Sequence, residues 1–353
     1  MITTGIADSS ANPSGISLGG ATAKVSAAAP ECHTVCEVKP ETRPETKPDA
    51  KSSAGAAPAP TSAISSSELR TRYAEVCARV EAATKKSGRQ PGSVILVAVT
   101  KYAAPEQVRT LIEAGHRDFG ENRVQHLIQQ AAMVDEFLTR QKIHAGTRRI
   151  SSSDSLFASG SAPTLAPAAG KGADAVRWHM IGHLQRNKAR KVVEFVRLVH
   201  SVDSLRIAEE LQAIALRRDE TVEVLLQVNC SGEESKFGCP IAATVALADQ
   251  INTMANIRLR GLMTMAEFAE TPEDARPAFS RLRDLHEDCR RSGAVDPKAF
   301  NILSMGMTND FEVAISEGAN IVRVGTAIFG TPATPEPDLI EPKEPEEPEE
   351  ATE

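Results

Sequence analysis

The stretch VILVAVTK, residues 94–101, is a continuous apolar run that ends in a cation. Uninterrupted apolar runs of this length mark strands buried on both faces, the habit of parallel sheets. The next stretch, AAPEQVRTLIEAG (103–115), reads as a helix, with Pro105 near its start and Gly115 past its end. RDFGE (117–121) is the next strand, and a second helix begins at Val124. Upstream, Ser65-Ser66-Ser67-Glu68 fits a capping box. It opens a helix to about Lys86 with Leu69, Tyr73, Val76, Val80 and Ala83 on one face.

The alternation continues downstream. Strands are expected at WHMIGH (178–183), RLVHSVD (197–203), VEVLLQVNC (222–230), IRLRGLMTM (257–265), FNILSM (300–305) and NIVRVGT (320–326). Helical stretches such as SLRIAEELQAIALRR and PEDARPAFSRLRDLHEDCRRSG lie between them. Eight strands with intervening helices predict an α/β fold, a single (β/α)8 TIM barrel.

Three segments fall outside this pattern. Residues 1–64 are rich in Ala, Ser, Pro, Gly and Thr, and cannot bury enough apolar surface to offset ordering. They are expected to be a disordered extension, without the early Arg or amphipathic period of a transit peptide. The stretch 144–175 is Ser/Ala/Gly-rich and reads as a disordered insertion within the 65–330 barrel. Residues 331–353 form an acidic Pro/Glu tail.

That tail holds nine acids against one base, so the chain's net charge of −7 leaves the remainder at +1. A near-neutral folded part with 4% aromatic residues offers no nucleic-acid footprint. No apolar run approaches a membrane span. The six cysteines (Cys32, Cys36, Cys77, Cys230, Cys239 and Cys289) form no CxxC, and no secretory leader opens the chain. Reduced thiols in the cytoplasm are expected, leaving a mitochondrial location open. No metal site is expected, since Cys32, His33 and Cys36 lack a second ligand pair.

Barrels of this class work at the C-terminal ends of their strands. Lys101 ends the first strand. Partial desolvation there would free its amine for imine chemistry, although a lysine leaving for solvent is the commoner reading of that feature alone. NILSMGMTND (301–310) places Ser304, Gly306 and Thr308 before a helix near Asn309. RVGTAIFG (323–330) places Gly325 and Thr326 after the last strand. Hydroxyls, glycines and helix amides at strands seven and eight form the usual phosphate cradle of such barrels. Arg323 faces inward and needs a partner, either a pyridine nitrogen or a structural carboxylate. Asn122, His179, Asn229 and Met263 complete the mouth candidates, with His179 read as a satisfied core histidine.

These residues resemble the pyridoxal phosphate (PLP) homeostasis family, whose barrel is similar to the alanine racemase N-terminal domain, PLP fold-type III. The matching segments are VAVTK (97–101), DFGEN (118–122), WHMIGHLQRNK (178–188), SKFG (235–238), GLMTM (261–265) and LSMGMTNDFEVAISEGANIVRVGTAIFG (303–330). The resemblance implies PLP as cofactor, a Schiff base on Lys101, phosphate at Ser304, Gly325 and Thr326, and Arg323 at the ring nitrogen. It implies a non-catalytic protein that carries or buffers PLP in vitamin B6 homeostasis, with apo PLP-dependent enzymes as acceptors and Lys236 as a second, transient lysine; a monomer is expected. His183, Thr308 and Phe237 depart from the family's common residues. The alternative is a racemase-like enzyme. It would need a C-terminal β-domain to supply a second-face base, and the 331–353 tail is not expected to form one.

Overall fold

The computed structural model describes residues 64–150, 175–233, 237–267 and 270–331, with no side-chain description for 142 and 144–150. Eight strands form one closed parallel barrel in chain order. They are β1 Ile95–Val99, β2 Asp118–Glu121, β3 Arg177–Met180, β4 Val196–Val202, β5 Val222–Gln227, β6 Ile257–Met263, β7 Ile302–Ser304 and β8 Ile321–Val324. β8 closes onto β1, with Val97 opposite Arg323.

The helices are α1 Ser66–Lys86, α2 Pro105–Glu113, α3 Val124–Ile150, α4 Arg186–Val193, α5 Leu205–Arg218, α6 Thr244–Asn252, α7 Arg276–Arg291, α8 Phe311–Ser316 and α9 Thr326–Phe329. At α1, Ser65 caps as its sequence suggests, its hydroxyl accepting from the Glu68 amide at 3.2 Å. Leu69, Val76 and Val80 bury the inner face of α1, which packs on α2, α8 and α9. Arg79 binds Glu312 of α8 with two hydrogen bonds.

Side chains of a strand alternate between faces, so each strand divides its residues between the helix layer and the lumen. Phe119, Trp178, Met180, Val224, Leu262, Leu303, Val322 and Val324 face outward into one continuous apolar shell. Val97, Leu198, Leu225, Met263 and Ile321 form a separate, smaller cluster inside.

Strand and helix ends differ from the sequence expectation by a few residues, and at β1 and α8 the local reason is visible. β1 stops at Val99, where the Thr100 hydroxyl turns to donate to the buried Glu121 carboxylate. α8 begins at Phe311 rather than near Asn309, because Asp310 accepts from the Met307 amide at 2.6 Å and holds 307–310 as a turn. α3 continues to Ile150, past the expected start of the insertion at 144. The remainder of that insertion (151–174), the 1–63 extension and the acidic tail from 332 lie outside the described residues. Cys77, Cys230, Cys239 and Cys289 carry free thiols. No helix among the described residues is long and apolar enough to cross a membrane, and no cluster among them could hold a metal ion.

Candidate functional site

The C-terminal ends of β1, β7 and β8 meet at one side of the barrel mouth. Lys101 lies two residues beyond β1 and is exposed, its Nζ 4.8 Å from the centre of the Tyr102 ring. The loop after β8 presses on the same strand: a Cβ at Gly325 would lie 3.3 Å from both Cβ and O of Val99. Thr326, the first residue of α9, donates its hydroxyl to that of Thr308 at 3.0 Å, so the two loops bring paired hydroxyls together. Gly306 allows this. It adopts φ +94°, and a Cβ there would meet Ala314 at 2.6 Å and the Phe311 backbone at 2.9 Å. Its carbonyl accepts from the Arg323 amide at 3.0 Å.

Arg323 points into the lumen and is 3% exposed. One Nη donates to the Ser304 hydroxyl at 2.6 Å and the other to the Thr264 carbonyl at 2.9 Å. No carboxylate pairs with it among the described residues, and burial pushes its pKa down to about 10. The nearby Asp310 is engaged by the Met307 amide, and burial pushes its carboxyl up. A buried guanidinium with neutral partners alone retains a strong demand for an acceptor.

Ser304 is fully buried. Its Oγ, the hydroxyl expected at the phosphate, sits between Arg323 and Nδ1 of His200, the latter at 2.9 Å. Thr308 and Thr326 are the hydroxyls left at the loop end. His179 is buried, bonded to His200 at 3.0 Å and to Asp118 at 3.2 Å, and lies below the mouth. Asn229 is occupied by its own turn, donating to the Glu233 carbonyl at 2.7 Å and accepting from Ser231 and Gly232. Met263 fills the lumen beside Val97 and Ile321.

Asn122, just past β2, is half-buried and its Oδ1 is buried with no partner. Its backbone lies so close to Gly182 that a Cβ there would fall 2.1 Å from the Asn122 carbonyl. Glu121 beside it is fully buried with one carboxylate oxygen unpartnered. Lys236 lies outside the described residues.

Sequence reasoning missed Asp118, Thr264 and His200. His200 carried a signal, since it shares a face with Leu198 in a largely apolar strand and that face turned out to be the lumen. The residues fit PLP. Paired hydroxyls and a glycine amide suit a phosphate, Arg323 suits an aromatic nitrogen, an exposed amine stands at the mouth, and the unpartnered Asn122 oxygen awaits a polar neighbour.

Residues 78–333 match the alanine racemase N-terminal domain family. The chain is 35% identical over 259 residues to the pyridoxal phosphate homeostasis protein of Aquifex aeolicus, covering 73% of this chain and 96% of that one. It is 36% identical over 265 residues to the protein of the same name in Pseudomonas aeruginosa, covering 75% and 96%. Among solved structures it is similar to PipY of Synechococcus elongatus with PLP bound. The TM-score is 0.54 and the identity 30%, over 71% of this chain and all of that one.

Proposed function

This chain belongs to the pyridoxal phosphate homeostasis protein family, within the alanine racemase N-terminal domain class, and from that premise we propose that it binds PLP and carries or buffers it for vitamin B6 homeostasis. The observation that carries this reading is Arg323: a buried cation, aimed into the lumen, with no carboxylate bonded to it among the described residues. Bound PLP supplies a reactive aldehyde that amines take up reversibly. Lys101 is the amine that holds it. Thr308, Thr326 and the amide of Gly325 take the phosphate, with Gly306 setting the loop between them. Asn122 faces the cofactor across the mouth and Met263 floors the site. Ser304 and His179 act through Arg323, and Asn229 shapes the turn that leads to Lys236.

Arg323 would donate to the ring nitrogen of bound PLP and would deliver no proton to it as a carboxylic acid does, which would leave the ring a poor electron sink. That favours storage over carbanion chemistry. The folded unit is 65–330, it acts as a monomer in the cytoplasm, and its acceptors are apo PLP-dependent enzymes, whose lysine attacks at the open mouth. The test incubates PLP-loaded protein with an apo-aminotransferase, and separately with D- and L-amino acids in deuterated water. Recovery of transferase activity with slow α-proton exchange is expected. Rapid exchange abolished by Lys101→Ala would overturn the carrier reading in favour of a racemase-like enzyme.

A further inference from the structure

Five buried side chains cross the lumen in one hydrogen-bonded line. Asp118 stands at the start of β2, at the barrel floor, where Arg177 of β3 grips both its oxygens at 2.7 and 2.5 Å. His179 Nε2 lies 3.2 Å from Asp118 Oδ1, and His179 Nδ1 lies 3.0 Å from His200 Nε2. His200 Nδ1 lies 2.9 Å from Ser304 Oγ, which accepts from Arg323 at 2.6 Å. The line climbs from β2 through β3 and β4, then crosses to β7 and β8.

Its polarity follows from its two ends. Asp118 can only accept, being held as a carboxylate by Arg177 at its side. His179 therefore carries its hydrogen on Nε2. A neutral His179 then has a lone pair on Nδ1, so His200 must donate from its own Nε2. That leaves His200 Nδ1 to accept the hydroxyl hydrogen of Ser304. From the other end the same order emerges. A guanidinium only donates, so Ser304 Oγ accepts from Arg323 and its single hydrogen is free for His200. At His200 the alternative needs an imidazolium, and burial holds His200 well below its ordinary pKa.

We infer that Asp118, His179, His200 and Ser304 form a one-way hydrogen-bond relay that positions Arg323 toward the ring nitrogen, each histidine neutral and protonated on Nε2. The cofactor half of this statement rests on the function proposed above; the tautomers do not. The relay does two things. It pins one arm of the guanidinium while the Thr264 carbonyl pins the other, which fixes the plane of Arg323. It also presents Arg323 with a hydroxyl oxygen whose hydrogen points away, so no base stands beside it to take a proton. Aligned donors polarise one another in a low dielectric, so the Asp118 carboxylate sets the direction of the whole line while its charge is matched by Arg177. The acid close to Arg323, Asp310, is engaged with its own turn.

The test begins without cofactor. Long-range ¹H–¹⁵N correlation spectra of the PLP-free protein near pH 7 report which nitrogen of each histidine is protonated, assigned with the His200→Gln variant. Nε2–H on both His179 and His200 is expected. His200→Leu severs the line and should weaken PLP binding about tenfold, the cost of leaving a buried hydroxyl and imidazole unpaired. It should also shift the visible band of bound PLP. His200→Gln can accept from Ser304 and donate to His179, so it should bind within about threefold of wild type with the band restored. A hydrogen on Nδ1, or an imidazolium at either position, overturns the relay. So does a folded His200→Leu variant that binds PLP with wild-type affinity and spectrum. A wild-type chain that took up no PLP would refute the function proposed above, while the tautomers still decided the relay.

Discussion

The shell between strands and helices and the lumen inside the strands are two interiors of one barrel, built on opposite principles. The shell is a single apolar cluster from Leu69 to Phe329 in which side chains of different size interdigitate. The lumen has a thin apolar layer of five residues crossed by the buried polar line from Asp118 to Arg323. Apolar burial is non-directional, so the shell tolerates rearrangement at a cost set by volume. Hydrogen bonds are directional and costly to leave unmade, so the lumen fixes orientation while adding little net stability. Stability should therefore reside mainly in the shell and ligand geometry in the lumen.

The largest blow to the shell tests one half of this contrast. Phe279 of α7 is fully buried there, and Phe279→Ala should cost about 3–5 kcal/mol in urea unfolding. The fraction that remains folded should keep its affinity for PLP. Loss of affinity with little loss of stability would invert the assignment of roles.

Acid should act on both regions at once. Burial lowers the pKa of His116, beside the lumen floor, and of His286, in the shell, each to about 4. Below the unfolded value of roughly 6.5 the unfolded chain takes up protons that the folded chain declines, so stability falls as pH drops from 6.5 toward 4. The slope is about 1.4 kcal/mol per unit per histidine, or about 2 kcal/mol each by pH 5. Below pH 4 the Asp118–Arg177 pair adds its own loss, because its carboxylate is depressed in the fold. Urea midpoints at pH 7, 6 and 5 read the slope, and His286→Leu should remove about half of it.

A smaller effect separates the line from the mouth. Ser304→Ala leaves Arg323 and His200 each short of a partner and should cost about 1–3 kcal/mol. It should weaken PLP and pyridoxal equally, since the hydroxyl bonds the guanidinium and His200 rather than the loop hydroxyls. Thr326→Val, the mildest change, should leave the unfolding midpoint within about 0.5 kcal/mol. It should selectively weaken PLP over pyridoxal by about tenfold, the value of a bond to a charged acceptor. Calorimetric titration with both ligands distinguishes the two positions.

The eight strands and most helices were legible because most strands are short, largely apolar runs that alternate with helical stretches. Arg323 was legible as an inward residue because Val322 and Val324 flank it on the opposite face. Strand ends were less so. Thr100 belongs to the apolar run by composition, and it takes the three-dimensional position of Glu121 to end β1 there. The partners of Ser304 were not legible at all. His200 lies on β4 and Ser304 on β7, brought together only by closure of the barrel. The spacing of hydroxyls and glycines suggested a phosphate, but could not say which hydroxyls the lumen would claim first. Thr308 and Thr326 meet for the same reason, through the turn at 307–310 and the pairing of β7 with β8.

Lys101 is the amine proposed to hold PLP at this mouth, and peptide mapping of the adduct decides it. The protein is incubated with PLP, reduced with borohydride, digested and analysed by mass spectrometry beside Lys101→Ala. One dominant pyridoxyl adduct on Lys101 is expected in the wild-type chain, with its loss from a variant of unchanged melting temperature. An adduct distributed over surface lysines, or full labelling of Lys101→Ala at Lys236, would contradict it.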